Sequence, residues 1–184
     1  MSGSGTGTPI SVLASFVAED GTGLSNANSY LSVADADTYH ANVTQSGEWT
    51  AATQAARENG LIVATQYLEN KYRGRWRGRK KLWSQALAWP RYGAVDDDGF
   101  QFDSEAVPQE LQAACAELAL RVVLGDDLLG VVTEPGEVTS ESVSVGPVTE
   151  SKTYAGGKPH GYQYPKVEAL LRAVTQAGGR VIRG

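Results

Sequence analysis

Apolar residues recur at three- and four-residue spacing in four stretches of the chain, the period of a helix with one buried face. The first runs from Val33 to about Asn42. Ser32 is its N-cap, and Asp35 and Asp37 lie in its first turns, where the helix dipole favours acids. Ala34, Tyr39 and Ala41 are expected to face inward. The second runs from about Glu48 to Tyr72, with Ala52, Ala55, Leu61, Ala64, Thr65, Leu68 and Tyr72 on one face. Gly60 weakens its middle by about 1 kcal/mol relative to Ala and marks a place for a bend or break. The third runs from Pro108, at a first position where a missing N–H costs nothing, to Leu124, with Gly125 as C-cap. Leu111, Cys115, Leu118 and Val122 make its apolar face, and Ala114 and Ala119 beside them allow close helix approach. The last runs from Pro165 to about Gln176 on Val167, Leu170, Leu171 and Val174.

Elsewhere the period changes. Ile10 to Val17 alternates roughly as a strand does. From Glu137 to Tyr154, Val138, Val143, Val145 and Val148 stand among Ser, Thr and Glu, with Gly146-Pro147 between them. That is the pattern of a β-hairpin or a pair of extended arms, and a lone hairpin needs a partner surface to be stable in water. The fold expected is mainly α: a small helical bundle with an inserted basic loop, a β-hairpin-like arm and extended N- and C-terminal segments. Its parts are an N-terminal arm (1–28), a helical-bundle core (29–130) carrying the loop 73–105, a β-like arm (131–164), and a C-terminal helix and tail (165–184).

Composition supports one ordinary core: 184 residues, 41% hydrophobic and 20% charged. Cys115 is the only cysteine, which excludes an intramolecular disulfide. The Ser/Gly/Thr-rich start lacks the basic and apolar regions of a signal peptide, and no run approaches the ~18 apolar residues that cross a bilayer. The expectation is a cytosolically made protein with no membrane partner.

Charge changes the picture more. The net charge is −5, yet Lys71 to Lys81 holds seven basic residues and no acid, so nine basic and 21 acidic residues leave −12 for the remainder. An acidic body carries one dense basic loop. Arg73, Arg75, Arg77, Arg79, Lys80 and Lys81, with Trp76 among them, can be read in two ways. They could neutralise phosphates while Trp76 stacks on an unpaired base. They could instead pair with the acidic body or with an acidic neighbouring subunit, as Arg does well at interfaces, and the net charge of −5 tips the balance toward such protein partners. Trp89 and Pro90 are expected to pin the loop onto the bundle.

Nothing in the chain forms a catalytic constellation, and the reading is that it is not an enzyme. A nucleophile needs a base in reach, but His40 sits at a helix end and His160 in a Gly/Pro-rich loop. Cys115 falls on an apolar helix face and reads as core. Asp96-Asp97-Asp98 with Asp103 lacks the alternating ligands and distal Glu of a calcium loop. No Cys or His pair has zinc spacing and no glycine-rich stretch leads into a Lys-Ser/Thr helix, so no metal or cofactor is expected.

Six ordered motifs carry a family resemblance over about residues 26–174. Asn28-Ser29-Tyr30-Leu31-Ser32-Val33 through Tyr39 resembles the opening of a family of tailed-bacteriophage neck proteins. Trp49 and the Gly60–Leu68 segment are similar to its Trp and "AL-x-x-A-T-x-Y-L" pattern, Gly60 standing where Ala is common. Gln85-Ala86-Leu87-Ala88-Trp89-Pro90-Arg91 resembles its "Q-x-L-A-W-P-R" motif. Val107-Pro108, Ala116 to Leu120, Val145-Gly146-Pro147-Val148 and Tyr164 to Leu171 follow in order. The family is described both as a head–tail connector, or adaptor, and as a DnaT-like single-stranded-DNA-binding protein. The first description implies a homo-oligomeric ring, twelvefold in such proteins, in the virion neck, assembled in the bacterial host cytoplasm. The ring would contact the portal protein and a stopper or tail-completion protein, and genomic double-stranded DNA would pass its lumen without sequence-specific binding. Portal contact would fall to the C-terminal segment: Val143, Val145, Pro147, Val148, Tyr154, Tyr164, Leu170 and Leu171. The second description implies a DNA-binding accessory protein.

Overall fold

The structure, a computed structural model, describes residues 15–130 and 164–176 and the two strands 138–144 and 149–154, the last two as backbone. It is mainly α-helical. The order is α1 (Val33–Tyr39), a π-helical turn (His40–Thr44), α2 (Gly47–Ala51), α3 (Gln54–Lys71), β1 (Arg79–Lys80), β2 (Arg91–Tyr92), α4 (Gln109–Val123), β3 (Val138–Ser144), β4 (Thr149–Tyr154) and α5 (Pro165–Leu171).

The core lies where α3 packs on α4, with α5 against α4 and the shorter helices at the sides. Leu61, Ala64, Thr65 and Leu68 of α3 meet Leu111, Ala114, Cys115, Leu118 and Ala119 of α4, all buried. Gly60 is no bend. A Cβ there would sit 2.9 Å from the Ala119 carbonyl oxygen, so the missing side chain lets the two backbones approach. The break falls earlier. Ala52 is extended (ψ 146°), and the Thr53 hydroxyl caps a new helix by accepting from the Ala56 amide at 3.2 Å. The single helix expected from Glu48 is therefore two, and Ala55 is exposed.

α1 meets the expectation in part: Tyr39 packs against the core, but Ala36 and His40 are the buried residues while Ala34 and Ala41 are exposed, and the helix widens into a π turn after Tyr39. Asp37 then meets α2 and α3. It accepts from Trp49 Nε1 at 2.7 Å and pairs with Arg57 at 3.0 Å.

Residues 15–28, expected within an arm, pack against the core through Phe16, Leu24 and Ala27. Asn28 N–H donates to the Val17 carbonyl at 2.9 Å, and Ala18 bridges Ser29 in parallel. Buried Glu19 gathers the following turn: its carboxylate accepts from the amides of Gly21 (3.0 Å), Gly23 (2.8 Å) and Leu24 (2.9 Å). The part of the alternating stretch before residue 15 lies outside the described residues.

β3 and β4 form an antiparallel two-stranded ribbon, Val138 opposite Tyr154 and Ser144 opposite Thr149, with an irregularity at Val138/Ser140. This is the hairpin expected from the sequence. α5 stops at Leu171, earlier than expected. The chain then turns, with the Thr175 hydroxyl donating to the Leu171 carbonyl at 2.8 Å.

Candidate functional site

α3 ends at Lys71, and Gly74 and Gly78, both at positive φ, fold the basic run back on the bundle. A Cβ on Gly78 would lie 2.4 Å from the Tyr92 carbonyl oxygen, so the turn tolerates only glycine. Between them the backbone is zipped to the end of the chain's last described turn. Gln176 N–H donates to the Arg75 carbonyl at 2.7 Å and Arg77 N–H to the Val174 carbonyl at 3.1 Å, with Trp76 bridging Thr175.

This geometry corrects the reading of Trp76 as a stacking platform. It is buried, with ring centroids 5.6 Å from Tyr72 and 6.5 Å from Trp89. An indole held in the core has no face free for a base.

The cations divide. Arg77 donates to the Thr175 carbonyl (3.0 Å) and the Val95 carbonyl (2.8 Å) and pairs with Asp97. Lys81 pairs with Glu105 at 2.5 Å and reaches the Gly21 carbonyl at 3.2 Å, and Lys80 Nζ donates to the Gln85 carbonyl at 3.0 Å. For Arg77 and Lys81 the reading in which the loop pairs with the acidic body is the one the structure supports. Arg73 and Arg79 are exposed, Arg79 lying over the Tyr92 ring at 5.7 Å. Arg75, half-buried, lies over the Tyr72 ring at 5.3 Å.

The Gln85–Arg91 motif is a self-braced loop. Gln85 is buried: its amide donates to the Leu87 and Pro90 carbonyls at 2.8 and 3.0 Å and accepts from the Leu82 N–H at 2.7 Å. Leu87, Trp89 and Pro90 are buried, and the Trp89-Pro90 peptide is cis. The Ala88 N–H donates to Glu69 at 2.9 Å, and Tyr30 donates to the same carboxylate, which ties the loop to α3. Arg91 closes the structure, donating to the carbonyls of Arg77 (2.6 Å), Gly78 (2.6 Å) and Ala88 (3.1 Å). Each residue type follows: an amide that both donates and accepts, apolar anchors, and a guanidinium that can serve three carbonyls. The expected pinning of the loop by Trp89 and Pro90 holds.

The tip of this loop is the surface feature that sequence reasoning passed over. Trp83 is 95% exposed and Leu82 42% exposed, close in sequence to Arg79 and Lys80. Phe100 is 74% exposed on the neighbouring acidic turn. Pattern alone does not separate an exposed indole such as that of Trp83 from a core tryptophan.

Of the C-terminal candidates, Leu171 is fully buried and Leu170 and Tyr164 half-buried, Tyr164 edge-on to Tyr67 at 5.8 Å. Leu171 is thus core and not a contact surface. Val143 pairs with Glu150 and Tyr154 with Val138 in the ribbon. Val145, Pro147 and Val148 lie outside the described residues.

Cys115 packs as expected, beside the Thr65 hydroxyl at 3.5 Å, and burial pushes its thiol up to about 11. His40 is buried against Trp49, with its Nδ1 2.9 Å from the Thr44 hydroxyl. Burial lowers its pKa, with Glu117 opposing. Among the described residues no group of His, Cys, Asp and Glu could hold a metal, and no helix is long and apolar enough to cross a membrane.

No curated protein and no solved structure matches this chain. Residues 14–184 match the family described as "Putative DnaT-like ssDNA binding protein". That match takes in the braced loop, the helical core and the ribbon, and the chain accordingly belongs to the DnaT-like ssDNA-binding protein family.

Proposed function

We propose that the chain works by assembly, as the head–tail connector of a tailed phage. It forms a twelvefold ring between the portal protein and a stopper or tail-completion protein, with a lumen for double-stranded DNA. The observation that carries this reading is the β3–β4 ribbon, whose strands pair only with each other among the described residues. A two-stranded ribbon is marginal alone, and a neighbouring subunit in a closed ring completes its open edges. The motif resemblance over residues 26–174 supports the same reading. So does the inward use of Arg77, Lys81 and Arg91, which spends cationic groups on the fold of an acidic protein. Cryo-electron microscopy of the particle neck tests it. A ring of this chain under the portal, with residues 137–176 at the portal, is expected; particles that lack the chain overturn it.

A second reading is a single-stranded-DNA-binding accessory protein. The family's description favours it over the first. So do exposed Arg73, Arg79 and Lys80, with Trp83 and Tyr92 as exposed aromatic faces. It requires salt-dependent binding of a short oligothymidylate that is lost in a triple Arg73→Ala, Arg79→Ala, Trp83→Ala variant. Binding that this variant retains, or no binding by the parent chain, removes it.

A further inference from the structure

A groove of about 500 Å³ opens between the zipped segment 75–77, the end of α5 and the acidic turn. That is within the range of small-molecule sites, about 300–1,000 Å³. Three arginines line it, Arg75, Arg77 and Arg172, together with two acids, Asp97 and Glu168, the latter paired with Lys71 at 3.0 Å. Arg77 is committed to Asp97 and two carbonyls. Arg172 has an 85% exposed side chain and makes only a long 3.8 Å approach to Asp97. Arg75 has no acidic partner among the described residues.

The groove's wall also holds two polar groups that have no hydrogen-bond partner among the described residues. Tyr72 is 3% exposed and its hydroxyl is unbonded; Nε of Arg75 is likewise buried and unbonded. Both are donors, apart from the acceptor lone pairs of the tyrosine hydroxyl. A buried donor left unmatched is costly, so the complement of this wall is an acceptor. Next to an uncommitted guanidinium, that acceptor is an anion with several oxygens. Burial raises the Tyr72 pKa, so the hydroxyl keeps its proton and remains a donor. The two backbone hydrogen bonds described above, Gln176 N–H to the Arg75 carbonyl and Arg77 N–H to the Val174 carbonyl, hold the wall in place, so the site is formed before ligand arrives.

We propose that this groove binds a phosphate group, Arg75 and Arg172 supplying the charge and Tyr72 a hydrogen bond. The proposal does not depend on the connector reading. Its ligand could be a free nucleotide or a phosphate of a DNA strand, which share this chemistry.

The test uses the full chain and amide and arginine-Nε NMR shifts on titration with inorganic phosphate, dTMP and an oligothymidylate. Saturable shifts at Arg75, Thr175 and Gln176 are expected, with affinity about tenfold weaker in Arg75→Ala, the loss of one charged hydrogen bond. Arg172→Ala, whose side chain is exposed, weakens binding without touching the fold, and Arg75→Lys recovers part of it. An oligothymidylate that binds more tightly than dTMP and loses affinity in Arg75→Ala assigns the phosphate to a strand; equal affinities assign it to a free nucleotide. No saturable shift at these residues, or unchanged affinity in both alanine variants, overturns the proposal. The neck structure can stand or fall independently of either result.

Discussion

Trp83 and Trp89 share one short loop and sit at opposite extremes, 95% and 0% exposed. The residue type is the same, so the difference lies in what the backbone around each is tied to. On the Trp89 side, Glu69 and Tyr30 hold the Ala88 amide, Gln85 and Arg91 hold the Leu87, Ala88 and Pro90 carbonyls, and Phe102 and Trp76 meet the indole edge-to-face. On the Trp83 side the Lys81, Leu82 and Ala86 amides are held, by the Pro90 carbonyl, the Gln85 side chain and the Leu24 carbonyl, but the Trp83 side chain itself stands in solvent. The two tryptophans of this loop therefore differ in role: Trp89 serves the fold, and Trp83 is spared from it. Charge divides likewise: Arg77 and Arg91 brace carbonyls inside while Arg73 and Arg79 stay outside.

The strongest way to break the comparison is to truncate the inner tryptophan. Trp89→Ala should destabilise the chain by about 3–5 kcal/mol, since it opens a cavity among Trp76, Phe102 and the loop. Its indole N–H has no hydrogen-bond partner among the described residues, so packing carries the effect. Denaturant unfolding measures it, and a loss below about 1 kcal/mol would mean that the loop is held by its hydrogen bonds and not by its anchor.

A smaller effect is expected where a buried carboxylate performs the same bracing. Glu19→Ala leaves the Gly21, Gly23 and Leu24 amides without their acceptor and should cost about 1–3 kcal/mol. Glu19→Gln keeps one carbonyl oxygen and should recover part of that in the same unfolding assay. Equal losses in the two variants would assign the effect to charge alone.

These bracing roles show what could be read from the sequence and what could not. The helices on strong apolar faces were legible: α4 matches the expectation within a residue at each end, because Leu111, Cys115 and Leu118 recur without interruption. The hairpin was legible for the same reason, through its change of period. The α2–α3 break was missed although Thr53 is a good N-cap, because apolar periodicity continues across it. Gly60 looked like a weakness when its purpose is set by Ala119, far away in sequence. The candidate site was legible as a basic loop but not as a divided one. Whether an arginine faces solvent or a carbonyl depends on the positive-φ turns at Gly74 and Gly78 and on pairing with residues 174–176, contacts between distant parts of the chain. Glu19 and Glu69 carried no pattern at all, since a carboxylate that accepts backbone amides looks like any surface acid.

The inner region also makes the fold sensitive to acid. Burial lowers the pKa of His40 below its ordinary 6.5, with Glu117 and Asp37 opposing and Lys166 adding to the fall. Below the unfolded value the unfolded chain binds the proton more readily than the folded one, so this contribution is complete above 6.5 and is lost as pH falls through the folded pKa. The slope it adds to stability cannot exceed about 1.4 kcal/mol per pH unit. His40→Phe removes that slope. Stability curves of the two proteins that stay parallel from neutral pH down to pH ~5 would show that His40 does not titrate with unfolding.

The smallest expected effect on the fold is the sharpest test of the comparison. Trp83→Ala should change stability by no more than about 0.5 kcal/mol, because the indole contacts nothing that folding needs. Its signature is optical. Trp49, Trp76 and Trp89 are buried, so Trp83 is the one tryptophan open to a solvent quencher. Acrylamide quenching of the parent chain should therefore show an accessible fraction that disappears in the variant while the melting curve is unchanged. If the connector reading holds, assembly with the portal should weaken in that same variant; if the second reading holds, capture of an oligothymidylate should. A variant that melts earlier would place Trp83 in the fold after all. One that keeps the quenchable fraction would show that a second indole reaches water, and the division between the two tryptophans would then have to be redrawn.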